Sequence, residues 1–374
     1  MSLEQDHRHM ARAIQLAAQA RYTTQPNPRV GCVLVADGGV VGEGYHRRAG
    51  EPHAERNALA AAGERARGST AYVTLEPCCH QGRTPPCTEG LIEAGVRRVV
   101  AAMRDPNPKV AGQGFERLRA AGIEVVEGIM QTQAMALNPG FIKRMSQGLP
   151  YIRCKLAMSL DGRTAMASGE SQWITSAQAR SDVQRLRALS GAVLTGVGTL
   201  LSDDPSLTVR LSHEELEIDS DLPLPKPVRV VLDPSLDTPA ESKMLSLPGL
   251  TLVICQDENP THGAALEAAG AQVVMLPGEQ GRLDLWEVMR FLASQEINDV
   301  LVESGATLAG ALLEQGLIDE LIVYQAPHIM GDGARGLFHL PEIQSMKQRI
   351  PLRITDVRQI GPDIRLTAIP GSAT

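Results

Sequence analysis

Three potential metal ligands with a carboxylate beside them constrain this chain more than any other feature. His53 stands two residues before Glu55, and Cys78 and Cys87 follow with eight residues between them. One imidazole and two thiolates are good Zn²⁺ ligands, and they leave a fourth position for water, which is the catalytic pattern. Bound zinc lowers the pKa of water towards neutrality. Glu55 can sit beside that water without ligating the metal and can carry a proton.

Two simpler interpretations of these residues stay open. A structural zinc site would be closed by a fourth protein ligand, and Cys79 or His80 could supply it. A metal-free interpretation treats the cysteines as ordinary buried thiols. Neither explains a glutamate two residues after the histidine, so the open, catalytic site is the favoured hypothesis.

The spacing of the histidine, the glutamate and the cysteines is similar to a known enzyme signature. H-x-E followed by P-C-x-x-C is typical of zinc nucleobase deaminases, and the gap between the cysteines is longer here. TQPNPRVGCVLV, HAE and EPCCHQGRTPPC resemble the deaminase domain of bacterial riboflavin-biosynthesis deaminase–reductases, in which this gap is characteristically long. The resemblance implies that His53, Cys78 and Cys87 bind zinc and that Glu55 is the proton shuttle. It also implies a substrate pocket lined by Asn27, His46, His80, Arg83, Asp105 and Asn107.

These pocket residues suit a phosphorylated pyrimidine nucleotide. Asn27 and the turn at Asp105–Asn107 offer amide and carboxylate groups to a pyrimidine edge. Arg83 and His80 can meet a ribose phosphate. Asn-Pro and Asp-Pro-Asn-Pro are also good turn formers, so the residues alone leave function and turn chemistry evenly matched.

The second half of the chain carries weaker motifs. The sequence GVGT at 196–199 follows a predicted strand, and the segment 303–308 runs from a strand end into a helix. Either could place backbone N–H groups and a helix dipole against a phosphate. The alternative is an ordinary strand-to-helix turn in which Gly305 supplies backbone freedom.

Taken together, the motifs of this half are more specific. CKLAMSLDGRTA, SGESQWIT, LLSDDPSLTVR, VRVVLD and VESGATLAGALLEQGLIDEL resemble, in that order, the reductase domain of the same family. The resemblance thus covers nearly the whole chain and implies NADPH as cofactor. It implies cofactor contacts at Ala157, Trp173, Thr199, Asp203, Gly305, Ala306, Thr307, Leu308, Ala309, Gly310 and Ala311. It implies substrate contacts at Ser171, Arg187, Leu207, Arg210 and Glu303.

The chemistry of these residues agrees in part. Arg187 and Arg210 suit a bidentate grip on a phosphate. Glu303 lies at the carboxyl end of a predicted strand, where ligands gather in open α/β sheets. Lys155 and Asp203 are candidate proton donors or orienting groups. Two assignments stay open: Trp173 by itself suits core packing equally well, and Ser235 is a candidate contact for the 2′-phosphate of NADPH.

Alternating strand and helix signals predict two α/β domains. A hairpin spans 30–45, and the linker signal at 148–150 (GLP) divides the chain into domains at 1–147 and 151–374. The acidic, proline-rich stretch 212–227 is predicted to be a surface loop. The resemblance specifies the folds as an N-terminal cytidine-deaminase-like α/β/α sandwich and a C-terminal dihydrofolate-reductase-like α/β domain.

Composition narrows the classes of partner. Lys and Arg number 36 against 43 Asp and Glu, for a net charge of −7, whereas general polyanion binders are basic. Aromatic residues make up only 3%, which disfavours a stacking platform for single-stranded nucleic acid. We therefore expect a small-molecule substrate and no nucleic-acid partner.

The expected environment is the cytoplasm. There is no run of 18 apolar residues and no secretory leader pattern, so a membrane partner is not expected. Six cysteines, three of them clustered, fit a cytosolic metal protein better than a disulfide scaffold. A homo-oligomer is expected because homo-oligomers are common among such enzymes.

The predicted activity is a two-step conversion in riboflavin biosynthesis. Hydrolytic deamination of 2,5-diamino-6-ribosylamino-4(3H)-pyrimidinone 5′-phosphate is followed by NADPH-dependent reduction of the ribosyl chain to ribityl. Two other classes compete with it. A deaminase of RNA or DNA is disfavoured by the charge and the few aromatics, and a regulatory zinc protein would need a closed metal site.

Overall fold

The computed structural model describes residues 2–80, 85–108, 110–257 and 259–371. The chain divides into two compact units, one formed by residues 1–148 with 213–224 and the other by 149–212 with 225–374. No helix in the described ranges combines the length and the apolar character needed to cross a membrane.

The first unit is built around one five-stranded sheet. Its strands are β1 (Gly31–Ala36), β2 (Gly39–Tyr45), β3 (Thr70–Val73), β4 (Arg98–Ala101) and β5 (Glu124–Glu127). Its helices are α1 (Leu3–Gln19), α2 (Ala54–Ala62), α3 (Cys87–Glu93), α4 (Gln113–Ala120), α5 (Gln131–Leu137) and α6 (Pro139–Gln147). The strand order is β2-β1-β3-β4-β5, with β1 antiparallel to both neighbours and β3 to β5 parallel. The predicted hairpin is therefore confirmed.

Glycines on the first two strands show that α1 and α2 cover opposite faces of this sheet. A Cβ on Gly31 would lie 2.0 Å from the Ala13 carbonyl oxygen of α1, and one on Gly44 would lie 2.5 Å from Ala58 N of α2. Gly44 pairs with Cys32, the neighbour of Gly31, and adjacent strand residues face opposite ways. The sheet is thus sandwiched between helices, as predicted.

Helices α5 and α6 were not predicted. Asn138 between them is 5% exposed; its Oδ1 accepts from Arg29 N at 2.7 Å and its Nδ2 donates to Arg29 O at 2.9 Å. A side-chain amide thus pairs with a backbone peptide as a neighbouring strand would, and anchors these helices to the segment that carries Asn27.

The second unit has a nine-stranded sheet. Its main strands are β6 (Tyr151–Ser159), β8 (Ala192–Gly196), β9 (Val228–Leu232), β10 (Thr251–Cys255), β11 (Ala271–Met275), β14 (Asp299–Glu303), β15 (Glu320–Ala326), β17 (Leu352–Ile360) and β18 (Asp363–Pro370), and its short strands are β7 (Arg163–Ala165), β12 (Gly278–Glu279), β13 (Arg282–Leu283) and β16 (Arg335–Gly336). Its helices are α7 (Ala177–Leu189), α8 (Val197–Asp203), α10 (Pro260–Ala268), α11 (Leu285–Ser294) and α12 (Ala306–Glu314), while α9 (His213–Leu216) belongs to the first unit.

This sheet is mixed. The order is β11-β10-β9-β8-β14-β6-β15-β18-β17, and the first seven strands are parallel. The hairpin of β17 and β18 is antiparallel and was not predicted. Because β14 returns between β8 and β6, the chain changes direction there, and ligands bind outside the carboxyl ends of strands at such a point.

The acidic stretch at 212–227 differs from its prediction as a plain surface loop. It contains α9, and residues 213–224 group with the first unit although they follow the linker in sequence. Arg47 Nη2 contacts Asp219 at 2.9 Å and Asp221 at 3.0 Å. These ion pairs join the stretch to the segment after β2, a contact that the order of residues along the chain could not show.

Candidate functional site

The predicted metal ligands converge in the first unit. His53 is the N-cap residue of α2, Cys87 begins α3, and Cys78 lies in the segment after β3. His53 Nδ1 is 3.5 Å from Cys78 Sγ and 3.4 Å from Cys87 Sγ, and all three donor atoms lie within 4.8 Å of one another. Residues distant in sequence thus form one cluster.

This geometry fits zinc. Zn–S and Zn–N bonds of about 2.3 and 2.1 Å at tetrahedral angles require a separation between nitrogen and sulfur of about 3.6 Å. The two observed distances lie close to that value. In the described part of the chain, the cluster contains neither Cys79 nor His80, so the structure does not favour the closed-site alternative.

The thiols are prepared for metal binding. A hydrogen bond with Cys87 lowers the pKa of the Cys78 thiol, and a weaker one with His53 lowers it further. The same bond with Cys78 raises the pKa of the Cys87 thiol. The Cys87 backbone N–H also donates to Cys78 Sγ at 3.4 Å. The lowered pKa favours the thiolate form of Cys78, which is the form that binds metal.

Glu55 lies in the first turn of α2 and is 3% exposed. Burial raises its pKa above the ordinary value, and the nearby Cys78 adds to this shift. A raised pKa makes the carboxyl group a better proton acceptor than an ordinary glutamate, as a group that carries a proton requires. Its position beside the ligand cluster agrees with the proton-shuttle role that the sequence predicts.

Asn27 and His46 form one hydrogen-bonded pair beside the ligands. Asn27 Nδ2 donates to His46 Nε2 at 3.0 Å, and His46 Nδ1 is 3.2 Å from the Pro52 carbonyl oxygen. Burial lowers the pKa of His46, which favours the neutral ring, and the carbonyl beside Nδ1 favours a proton on that nitrogen. The His46 ring packs edge-on against the His53 ring at 5.2 Å, which places the pair next to the metal cluster.

The other predicted pocket residues differ in burial, and one of them is not described. Burial raises the pKa of Asp105 to about 7, and its Oδ1 accepts from the backbone N–H of Asn107 at 2.8 Å. His80 is exposed. Arg83 lies outside the described residues. The hydrogen bond within the turn confirms the turn chemistry of Asp105, while its substrate-binding role stays a prediction.

In the second unit, predicted residues gather at the carboxyl ends of parallel strands. Ala157 lies near the end of β6, Glu303 ends β14, and Ser235 follows β9 on the surface. Thr199 in α8 accepts a hydrogen bond through Oγ1 from Gly305 N at 3.3 Å. That bond joins the segments after β8 and β14 at the point where the sheet changes direction.

A buried ion pair organises this edge. Arg187 Nε and Nη2 donate to the two carboxylate oxygens of Glu303 at 2.6 and 2.9 Å, and Nη1 donates to Thr208 O at 3.0 Å. Burial by itself would raise the pKa of Glu303, but Arg187 lowers it below its ordinary value. The Arg187 fork is thus engaged by Glu303, which leaves the exposed Arg210 as the candidate phosphate contact.

Lys155 is the register partner of Glu303 across β6 and β14. Burial lowers its pKa, and the neighbouring Glu303 opposes that shift. Asp203, the other candidate proton donor, is exposed at the end of α8.

Three predicted contacts need refinement. The 305–311 segment is the N-cap and first two turns of α12; Ala309 is fully buried, and a Cβ on Gly310 would lie 2.2 Å from His339 O. The Leu207 side chain is 2% exposed within the core. Trp173 is 68% exposed, with the Arg180 guanidinium 4.4 Å from its ring centroid, so the core-packing alternative is wrong. Ser171 is half-buried in the same loop.

Sequence reasoning missed a residue that holds this loop. Asp363 is 1% exposed, and its Oδ2 accepts from Ser176 N at 2.8 Å and from Ser176 Oγ at 2.6 Å. Ser176 caps α7 directly after the loop with Ser171 and Trp173. The Gly-Pro dipeptide before Asp363 signals a turn, but only the fold shows which segment the turn meets.

Known proteins resemble both units. A family model for the cytidine and deoxycytidylate deaminase zinc-binding region matches residues 3–103, and one for the RibD C-terminal domain matches residues 150–366. Riboflavin biosynthesis protein RibD of Escherichia coli K12 is 52% identical over 365 residues, 97% of this chain and 98% of that one.

Solved structures agree with these matches. Acinetobacter baumannii RibD (form 1) has a TM-score of 0.91 and 47% identity, covering 99% of this chain and 100% of that one. A diaminohydroxyphosphoribosylaminopyrimidine deaminase/5-amino-6-(5-phosphoribosylamino)uracil reductase of Thermotoga maritima has a TM-score of 0.84 and 32% identity, covering 99% of each chain.

Proposed function

The chain belongs to the RibD family of riboflavin-biosynthesis proteins, and from that premise we propose how its residues divide the family's two reactions. It is a bifunctional enzyme, a zinc-dependent hydrolase and an NADPH-dependent oxidoreductase, with the predicted cytidine-deaminase-like and dihydrofolate-reductase-like α/β folds. Residues 1–147 deaminate 2,5-diamino-6-ribosylamino-4(3H)-pyrimidinone 5′-phosphate. Residues 151–374 reduce the ribosyl chain, giving 5-amino-6-(5-phosphoribitylamino)uracil.

The observation that carries the first assignment is the convergence of three zinc ligands beside a buried glutamate. His53, Cys78 and Cys87 hold the metal, which when bound makes a water reactive near neutral pH. Glu55 takes the proton of the attacking water and passes it to the departing amine, which leaves as ammonia.

The other residues of the first pocket hold the substrate in place. The hydrogen-bonded pair of His46 and Asn27 presents a fixed polar edge beside the metal cluster. Asp105 and Asn107 offer further polar groups to the ring, and His80 and Arg83 meet the 5′-phosphate. The amino-bearing carbon is thereby held next to the reactive water.

In the second unit, the carboxyl ends of β6, β8 and β14 hold the two reactants together. NADPH supplies the hydride, so the protein mainly orients the nicotinamide and the ribosyl C1. Thr199, the exposed Trp173, Asp203, Ser235 and the first turn of α12 take the cofactor. Glu303 and Arg210 take the substrate, with Arg187 fixing the Glu303 carboxylate. Lys155, half-buried and paired in register with Glu303, is the candidate donor of the proton that opens the ribose ring.

Three further assignments complete the proposal, on the partners, the location and the oligomeric state. The substrates are small molecules, and we assign no nucleic-acid partner because the net charge is −7. A cytoplasmic location agrees with six free cysteines, since metal-binding thiols need a reducing compartment. A homo-oligomer is supported by the edge strand β17, whose Leu352, Ile354 and Val357 are 51–59% exposed.

A coupled assay on zinc-loaded protein tests the scheme. We expect ammonia release from the diaminopyrimidine ribosyl phosphate, and NADPH oxidation that depends on that release. Ammonia without NADPH oxidation would limit the assignment to the first unit. Absence of both from folded, zinc-containing protein would refute the proposed substrate.

A further inference from the structure

A buried glutamate that the catalytic scheme does not use lies two residues before the ligand Cys78. Glu76 is 2% exposed, and each of its carboxylate oxygens accepts two hydrogen bonds from the backbone. The donors are the N–H groups of Gly114 and Phe115 to Oε1, at 2.9 and 3.3 Å, and of Asp105 and Gly112 to Oε2, at 3.1 and 3.0 Å.

All four donors belong to the connection between β4 and the first turn of α4. Asp105 stands at one end of this connection, and Gly112, Gly114 and Phe115 at the other. A carboxylate at a helix N-terminus is favoured by the helix dipole, and four N–H groups compensate its charge in the absence of water. One side chain therefore fixes both ends of the connection.

Backbone packing depends on the same arrangement. A Cβ on Gly114 would lie 2.2 Å from the Pro77 carbonyl oxygen, so the start of α4 touches the backbone that leads to Cys78. Glu76 N also donates to Met103 O at 3.0 Å, at the end of β4. The ligand-bearing segment and the segment that carries Asp105 are thus joined at several atoms around Glu76.

We propose that Glu76 is a positioning residue for deamination, which holds Asp105 and Asn107 at a fixed place relative to the metal ligands. Asp105 N is one of the four donors, and Asp105 Oδ1 in turn accepts from Asn107 N at 2.8 Å. The inference rests on the proposed function of the first unit. It assigns Glu76 no contact with substrate.

The test is Glu76→Gln. An amide has one acceptor oxygen, so two of the four backbone donors lose their partner. We expect the variant to keep its zinc, while KM for the diaminopyrimidine rises at least tenfold and kcat changes less. Hydrogen exchange at the amides of the four donor residues should accelerate. Reduction of pre-deaminated substrate by the same chain should be unchanged.

Glu116→Gln is the matched control, because this exposed glutamate on α4 undergoes the same chemical change without the four donors. It should leave KM and amide exchange at wild-type values. Glu76→Asp, which keeps the charge and shortens the reach, should restore part of the KM effect, as expected for positioning.

Three outcomes would overturn the proposal. Wild-type KM and amide exchange in Glu76→Gln would show that the four bonds position nothing. Loss of zinc from both Glu76 variants would assign the residue to the metal site. If Glu76→Gln does not fold, a wild-type KM in a Glu76→Asp variant whose four donor amides exchange faster than in the wild type would have the same meaning. A wild-type chain that does not release ammonia would instead refute the proposed function, while amide exchange would still report on Glu76.

Discussion

The candidate sites of the two units are formed by different kinds of groups. In the first, the reactive groups come from residues 53–87, held at two helix N-termini and one loop. In the second, the candidate groups come from the ends of separate strands and from the helices beside them, and the central feature is the ion pair of Arg187 in α7 with Glu303 at the end of β14. The first site is a compact cluster of side chains, whereas the second depends on backbone placement and electrostatics.

This difference explains why the sequence carries a strong signal for the first site and only a weak signal for the second. Metal binding accepts only a few residue types, so His and Cys at suitable spacing stand out. A site for a dinucleotide uses backbone N–H groups and small residues, which occur in many strand-to-helix turns. If the comparison holds, substitutions in each unit should impair one reaction and spare the other.

The largest effect should follow from removing a metal ligand. Cys87→Ser should lose zinc and bring ammonia release below detection, because Cys87 is fully buried at the cluster. Bound zinc and both activities are measured on the same preparation, and Cys79→Ser serves as the matched control. Loss of reduction in Cys87→Ser, or loss of zinc in Cys79→Ser, would contradict the division of the chain or the three-ligand site.

Glu55→Gln should retain zinc and lower the deamination rate by about 10²–10⁴-fold, the usual contribution of a general acid–base. The amide has a similar shape but cannot carry the proton. Metal content, kcat for ammonia release and the reductase rate give the comparison. A nearly wild-type rate of deamination by the metal-loaded Glu55→Gln variant would contradict the proton-shuttle role of Glu55.

Glu303→Gln should act only on the second unit. It leaves the buried Arg187 without its counter-charge, which costs about 3–5 kcal/mol in comparable pairs. We expect a lower unfolding temperature for the second unit and a reduced rate of NADPH oxidation, with deamination preserved. Glu287→Gln breaks the exposed pair with Arg290 and should change stability by less than about 0.5 kcal/mol. Equal effects of the two variants would contradict the buried ion pair.

The smallest effect should come from a structural carboxylate in the first unit. The hydrogen bond from Arg98 lowers the pKa of Asp6, which also accepts from the Tyr72 hydroxyl at 2.8 Å. A carboxyl group whose pKa is lower in the folded state stabilises the fold at pH values above its unfolded-state pKa of about 4. That stability is lost as the pH falls through the folded-state pKa.

Asp6→Asn should therefore be less stable than wild type by about 1.5–3 kcal/mol at pH 7. The difference should shrink below about pH 4, which urea unfolding of both proteins at pH 7 and pH 3 would measure. A difference that is constant with pH would show that the Asp6 charge is not what stabilises the native state.

Periodic segments were predictable in both units. The hairpin of β1 and β2 follows from an apolar run, the turn residues at 37–39 and a second apolar segment, and strand β6 and helix α7 were also predicted. Helices α5 and α6 and the strands β17 and β18 were missed. Helices α5 and α6 are anchored by the hydrogen bonds of Asn138 to the Arg29 backbone, which no periodic pattern shows. Strand β17 is exposed along most of its length, so it has no buried face that would produce an apolar pattern.

The sequence by itself determined which three side chains cluster as potential zinc ligands, the glutamate beside them and the order of two α/β domains, because these depend on residue type and spacing. Only the tertiary structure decided that Arg187 is engaged by Glu303, that residues 213–224 group with the first unit, and that Glu76 binds four backbone amides. Each of these depends on which distant groups the fold brings within hydrogen-bonding distance. Side-chain hydrogen bonds to the backbone leave little trace in sequence, since every residue except proline can donate its N–H.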